Sequence, residues 1–197
     1  MAYTVADNEL GFVDLYAVDS VGPGALKLGA VTTATYGRLE FPGLELRGVD
    51  QALGGGKFMF VQAAGTIAAG GVCELTATSV NSGARIDVSA QPWAGAANSG
   101  KPLGVALAAM TAGQWGWIQT EGIAVTNTNG TVAVGDKQSW QASGVISSTV
   151  VASKGVLNAL AASANGATYG SGSGAVTLSS SQSLILLNRP CAQGAIT

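Results

Sequence analysis

The chain is 197 residues long, 47% hydrophobic and only 10% charged, with a formal net charge of −2 and no histidine. Its length suits one or two domains and its apolar fraction can build a core, but an average soluble domain carries about 25% charged residues, so this surface is charge-poor. No Lys/Arg cluster is present to displace counterions from phosphates, which argues against nucleic acid. The missing histidine removes Ser-His-Asp and Cys-His catalysis and the commonest zinc ligand.

Residues 1–50 read as an extended arm or a small subdomain. Short apolar pieces are broken at Gly22-Pro23-Gly24 and Phe41-Pro42-Gly43, where Pro fixes φ and Gly frees it. Acids predominate there: Asp7, Glu9, Asp14, Asp19, Glu40, Glu45 and Asp50 face only Lys27, Arg38 and Arg47. The first residues show no basic region leading into an apolar run, so no secretory signal is read. No stretch reaches the roughly 18 apolar residues of a membrane span, so no membrane partner is expected. Gly54-Gly55-Gly56 reads as a flexible connector to the rest. It is not a phosphate loop, which needs a Gly where Gln51 stands and a Ser or Thr where Phe58 stands.

From Lys57 to the end the grammar is β. Phe58–Gln62 is a strand and Gly65–Gly71 a corner of small residues. Val72–Val80 and Ala84–Ala90 flank the hairpin turn Asn81-Ser82-Gly83. Gln91–Gly100 is a loop; Leu103–Leu107 and Trp115–Thr120 pair around Thr111-Ala-Gly113. Ile123–Thr126 and Thr131–Val134 flank Asn129-Gly130, a type I′ hairpin signal. Ser139–Ile146, Val150–Leu160 and Ala175–Leu187 complete the strands, with Ala164–Gly174 a Gly/Ser-rich loop. Val156–Ala164 also has the Ala/Leu content of a short helix. Short strands at this spacing predict an all-β barrel or sandwich.

The body repeats itself. Lys101-Pro-Leu-Gly-Val-Ala-Leu-Ala-Ala-Met110 is echoed by Lys154-Gly-Val-Leu-Asn-Ala-Leu-Ala-Ala-Ser163. Val61-Gln62-x-x-Gly65-Thr66-Ile67-Ala68-x-Gly70 is echoed by Ile118-Gln119-x-x-Gly122 and Thr131-Val132-Ala133-x-Gly135, with Ile123–Gly130 inserted. The pattern predicts an internal pseudo-duplication.

Chemistry is scarce. Cys73 and Cys191 make neither a CxxC site nor a disulfide framework, no acidic cluster has an EF-hand spacing, and Gly170-Ser-Gly-Ser-Gly174 is no nucleophile elbow. Glu40 and Glu45 are the nearest carboxylate pair, with Glu74, Asp87, Glu121 and Asp136 scattered. No catalytic residue, metal or cofactor is therefore expected. Trp115 and Trp117 share one strand face, because side chains alternate with period 2; they read as core, as an aromatic interface, or as a ligand platform. The sequon Asn129-Gly-Thr131 reads only as a turn. A charge-poor surface of this size is expected to be covered by partners, first of all by other copies of the chain.

Three phrases, in this order, resemble the head decoration (capsid cement) proteins of tailed bacteriophages. They are Lys57-Phe-Met-Phe-Val-Gln-Ala-Ala-Gly-Thr-Ile-Ala-Ala-Gly-Gly71, Pro102-Leu-Gly-Val-Ala-Leu-Ala-Ala-Met-Thr-Ala-Gly-Gln-Trp-Gly-Trp-Ile-Gln-Thr-Glu-Gly-Ile-Ala-Val125 and Val132-Ala-Val-Gly-Asp-Lys137. The resemblance spans roughly residues 47–160 and involves no catalytic motif. It implies a small β-barrel or β-tulip body, often trimeric, on the capsid exterior, where it bridges major capsid subunits against packaged DNA. On that reading the arm is the candidate anchor, with Asp7, Glu9, Phe12, Asp14, Leu15 and Tyr16 the capsid-binding candidates and Trp115 and Trp117 a candidate aromatic interface. The alternative is a host- or glycan-binding module of the phage head or tail.

Overall fold

The computed structural model describes residues 4–5, 45–50, 52–80, 85–170 and 175–194. Among them there is no helix; the chain is all-β, as its composition predicts. One eleven-stranded sheet carries nearly everything, and the strands β11 (Thr168–Tyr169) and β12 (Val176–Thr177) form a separate pair.

The large sheet curls on itself twice. In the first partial ring, β3 (Gly54–Ala63) runs parallel to β5 (Arg85–Pro92), with Gln62 opposite Ser89. β5 pairs antiparallel with β4 (Val72–Val80), β4 with β6 (Leu103–Ala106), and β6 with β7 (Trp115–Asn127). β7 then returns to β3, with Trp117 opposite Phe60. The second ring starts from the far half of β7. It proceeds through β13 (Gln182–Ala192), β10 (Gly155–Ala161), β8 (Lys137–Ala142) and β9 (Val145–Ser147). A single parallel bridge, Thr128 to Ile146, closes it. Order and direction match strand for strand, so the duplication is built into the topology.

Its register differs from the one the repeated phrases suggest. Ala106 bonds the first corner (Gly70 N–H to Ala106 O, 2.8 Å; Ala106 N–H to Gly71 O, 3.0 Å), and Ala161 bonds the second (Gly135 N–H to Ala161 O, 2.7 Å; Ala161 N–H to Asp136 O, 2.9 Å). Ala106 faces Ile118 as Ala161 faces Ile185. The counterpart of Ala106 is thus Ala161, whereas the Ala-Leu-Ala-Ala phrase aligns it with Ala159. The cause is an irregularity in β10: Lys137 pairs with Leu160 but the next residue, Gln138, pairs with Val156. Asn158, at φ 58°, carries the chain around the extra residues.

Three other expectations change. Ile123–Asn127 is no inserted hairpin strand but the continuation of β7, paired with Gln182–Leu186 of β13. Asn129-Gly130 lies on the second corner instead, equivalent to Ala64-Gly65, and β8 begins only at Lys137. Ser139–Ile146 is a hairpin, turning at Gly144 (φ 70°), whereas the strand expected over Val150–Leu160 is present as β10, starting at Gly155. Gly54-Gly55-Gly56 opens β3 and is no free connector, because β2 (Glu45–Asp50) pairs along it from Asp50–Gly54 to Glu45–Met59. β1 (Thr4–Val5) adds to β2.

Alternation along the strands sorts the apolar residues. Val61, Ala63, Cys73, Leu75, Ala90, Ala106 and Ile118 point into the first ring. Phe58, Phe60, Trp115, Trp117, Leu178 and Leu184 form a second cluster on the other face of β3 and β7. The second ring holds Val132, Ile146, Ala161 and Ile185, with Val72, Trp93, Leu103 and Val105 of the first unit closing it. Its lining is more polar than its counterpart. Thr126 stands for Val61, Thr128 for Ala63 and Asn165 for Met110. Where Ile67 N–H bonds the Met110 carbonyl at 2.8 Å, Val132 N–H bonds the Asn165 side-chain oxygen at 2.7 Å, and Asn165 Nδ2 donates to Thr128 Oγ1 at 2.7 Å.

Candidate partner-binding face

The duplication makes one surface conspicuous by comparing its two copies. On the outer side of the first ring, Val72, Leu103 and Val105 are buried against Val156, Ala159, Leu187 and Ala192 of the second unit. A seam of polar bonds fixes this contact. Val72 N–H donates to Gly144 O (2.9 Å), Gly144 N–H to Trp93 O (3.1 Å), and Trp140 Nε1 to the same Trp93 carbonyl (3.2 Å). Lys154 Nζ lies 4.1 Å from the centre of the Trp140 ring.

In the second unit the counterparts of Val72 and Val105 are Lys137 and Leu160, which pair with each other as the first two do. The counterpart of buried Gln119 is Leu186, opposite Leu160. Among the described residues no further unit covers them: Leu160 is 43% exposed and Leu186 48%. The β10 irregularity adds Leu157, 47% exposed. Together with Lys137, Asn158 and Asn188 they line an open groove of about 410 Å³. Three half-exposed leucines around one groove are more than the scattered apolar residues of an ordinary surface. Among the described residues that line it there is no acid, and Lys137 gives it a basic edge.

Beside it, charges tie both rings together. Glu121 accepts from Lys57 Nζ at 2.7 Å and Arg189 Nε at 2.7 Å, and Arg189 reaches Glu45 at 3.5 Å. The Lys57 and Arg189 hydrogen bonds hold the Glu121 carboxyl below its ordinary value of 4.5. A depressed carboxyl contributes stability that is complete above the ordinary value and is lost as pH falls through the folded one. The melting temperature should therefore fall on acidification below about pH 4.5. In Glu121→Gln this acid limb should be shallower, as melts over a pH series will show. Elsewhere, buried Glu74 takes Lys101 Nζ at 2.8 Å and a second bond from Gln91, so its charge is matched. Cys73 is enclosed, its thiol pushed up to about 12 by burial, and is chemically inert.

Of the residues expected to carry function, Asp7, Glu9, Phe12, Asp14, Leu15 and Tyr16 lie outside the described residues. Trp115 and Trp117 do share one face, but it is an inner one: they are 4% and 3% exposed and pack on Phe60, at ring-centroid distances of 5.8 and 5.1 Å. An open platform for a sugar or partner is thus not what this pair forms within the chain. Its neighbours across the strand pair, Phe58 and Phe60, supply a better use of the indoles as core. The leucine face was not anticipated. Leu157 and Leu160 read as apolar strand residues no different from Leu103 and Val105, and only the pairing of β10 with β13 turns them outward.

No family model matches the chain. No curated protein matches it either. Among solved structures, the crystal structure of the head fiber gp8.5 N base in bacteriophage phi29 overlaps 68% of this chain and 95% of that one, with a TM-score of 0.42 at 12% identity. So loose an overlap leaves the functional argument to the chain's own residues.

Proposed function

We propose that this is a structural protein of a tailed-phage virion that binds the outer surface of the capsid and cements neighbouring major capsid subunits against internal DNA pressure. The observation that carries this reading is the leucine face of the second ring: an apolar surface with a basic edge, on a charge-poor β-frame whose equivalent face is already covered by protein. The phrases that resemble those of head decoration proteins supply the capsid as the surface to be covered.

Energetics select how such a protein works. Burying three half-exposed leucines yields roughly 1 kcal/mol each, about 3 kcal/mol in all. Micromolar binding takes about 8 kcal/mol. One copy on one patch is therefore too weak, and cementing requires linked copies, of which a trimer is the form the resemblance implies, acting by avidity. The arm provides a second anchor, adding backbone hydrogen bonds at a sheet edge. Attachment of this kind uses area and multiplicity and calls for no catalytic group or cofactor.

The test is to mix the purified protein with expanded capsids that lack accessory proteins, then measure co-sedimentation and the temperature at which the capsids release DNA. The reading expects binding at a fixed number of copies per capsid and a higher release temperature. A protein that stays in the supernatant, whatever its concentration, sinks it. Truncation just before Glu45 keeps β2 on β3 and should weaken binding if the arm is an anchor.

A further inference from the structure

We propose that Asn129-Gly130 is a self-modifying site, at which the Gly130 backbone nitrogen displaces ammonia from the Asn129 side chain and leaves aspartate or isoaspartate. The proposal is independent of the capsid reading. It rests on how the fold treats two Asn-Gly pairs, Asn129-Gly130 and Asn165-Gly166, that are alike in sequence.

At the first pair every reacting group is available. Asn129 and Gly130 are both exposed. The Gly130 N–H points at its own neighbour's side chain, 2.8 Å from Asn129 Oδ1, which brings the nitrogen up to the carboxamide carbon. Gly130 has φ +75°, and a Cβ there would meet nothing nearer than Ser147 Oγ at 3.6 Å, so the space beside Gly130 Cα is open.

At the second pair both partners are held. The Asn165 carboxamide accepts from Val132 N–H and donates to Thr128 Oγ1, each at 2.7 Å. The Gly166 N–H is committed to the Gln182 carbonyl at 3.1 Å. Reaction there must first break these bonds.

The step balances without a co-reactant other than water. Hydroxide removes the Gly130 amide proton and the nitrogen attacks Asn129 Cγ. A C–N bond forms as the Cγ–Nδ2 bond breaks, and the Nδ2 amino group takes one proton from water and leaves as ammonia, which returns the hydroxide. Water then opens the five-membered imide at either carbonyl. Opening toward the main-chain carbonyl gives isoaspartate, which routes the backbone through the former side chain and lengthens it by one methylene.

Position gives the change its consequence. Asn129 N–H donates to Ile146 O at 2.9 Å, next to the Thr128–Ile146 bridge that closes the second ring. The first ring has a two-residue ladder at the equivalent place. A longer backbone and a new negative charge therefore fall on the weaker of the two closures.

The experiment is incubation of the folded protein over a pH series from neutral to mildly alkaline, followed by peptide mapping with mass spectrometry that separates isoaspartate from aspartate. A parallel sample is held unfolded in urea. In the folded protein, product should accumulate at Asn129 faster as pH rises, ahead of Asn165 by on the order of tenfold or more, because Asn165 must lose its hydrogen bonds first. In urea the two pairs should react alike. If Asn129 stays intact in the folded protein while reacting in urea, or if Asn165 keeps pace with it in the folded protein, the proposal is overturned.

Discussion

Gly122→Ala should destabilise the protein by about 3 kcal/mol or more, enough to leave a marginally stable domain largely unfolded on moderate heating. Gly122 sits where β7 passes from the first ring to the second, with φ +91°. Its absent side chain lets β3 and β7 touch backbone to backbone: a Cβ would be driven into the Gly55 carbonyl oxygen and would lie 2.9 Å from Gly56 Cα. Two penalties thus add, a backbone conformation that L-residues avoid and a collision with main chain that cannot rotate away. The comparison is Gly113→Ala. Gly113 has a similar φ, +87°, but open space around it, so only the conformational cost of about 1 kcal/mol should appear. Urea titrations of the two variants separate the terms. Equal losses would mean that the close approach of Gly55, Gly56 and Gly122 contributes nothing.

Trp117→Ala should cost about 3–5 kcal/mol, the range for deleting a large buried aromatic side chain. The indole is 3% exposed, and its removal opens a cavity between Phe60 and the surrounding cluster that β-strands locked by pairing on both sides cannot collapse to fill. Trp117→Phe keeps most of the volume and should recover much of the loss. Calorimetry of both variants measures it. A stability close to that of the parent chain would return Trp117 to the surface and restore the aromatic platform as a reading.

Much of the fold was legible because period-2 alternation and turn chemistry are local. Val72–Val80 as a strand, its antiparallel pairing with Arg85–Pro92 and the shared face of Trp115 and Trp117 all follow from short-range rules. The duplication was legible in kind, since Gly70 and Gly135, and Ala106 and Ala161, must make the same corner bonds in each ring. Its register was not, because extra residues around Asn158 shift β10 against β8, and a composition of Ala, Leu and Gly aligns equally well at several offsets. Asn129-Gly130 has the residues of a hairpin turn, but the strand before it is needed to hold β13, and tertiary pairing overrides the local signal. The candidate site was hidden for a related reason. Whether Val105 or Leu160 is covered depends on the second unit lying over the first while no other described residue lies over the second, and that is a property of the assembled chain.

The surface proposed to meet the capsid is the leucine face of the second ring. That proposal is tested most directly by co-sedimentation of Leu160→Asp/Leu186→Asp with expanded, undecorated capsids, beside the parent protein and Val150→Asp. Val150 is 83% exposed and outside the groove, so its variant controls for added charge. Thermal melts of both variants should stay close to the parent, because the substituted side chains already meet water. The parent and Val150→Asp should pellet with the capsids, and the double variant should be reduced by tenfold or more, the loss of about 1.4 kcal/mol or more of apolar burial. A double variant that folds and pellets as fully as the parent would contradict the proposal.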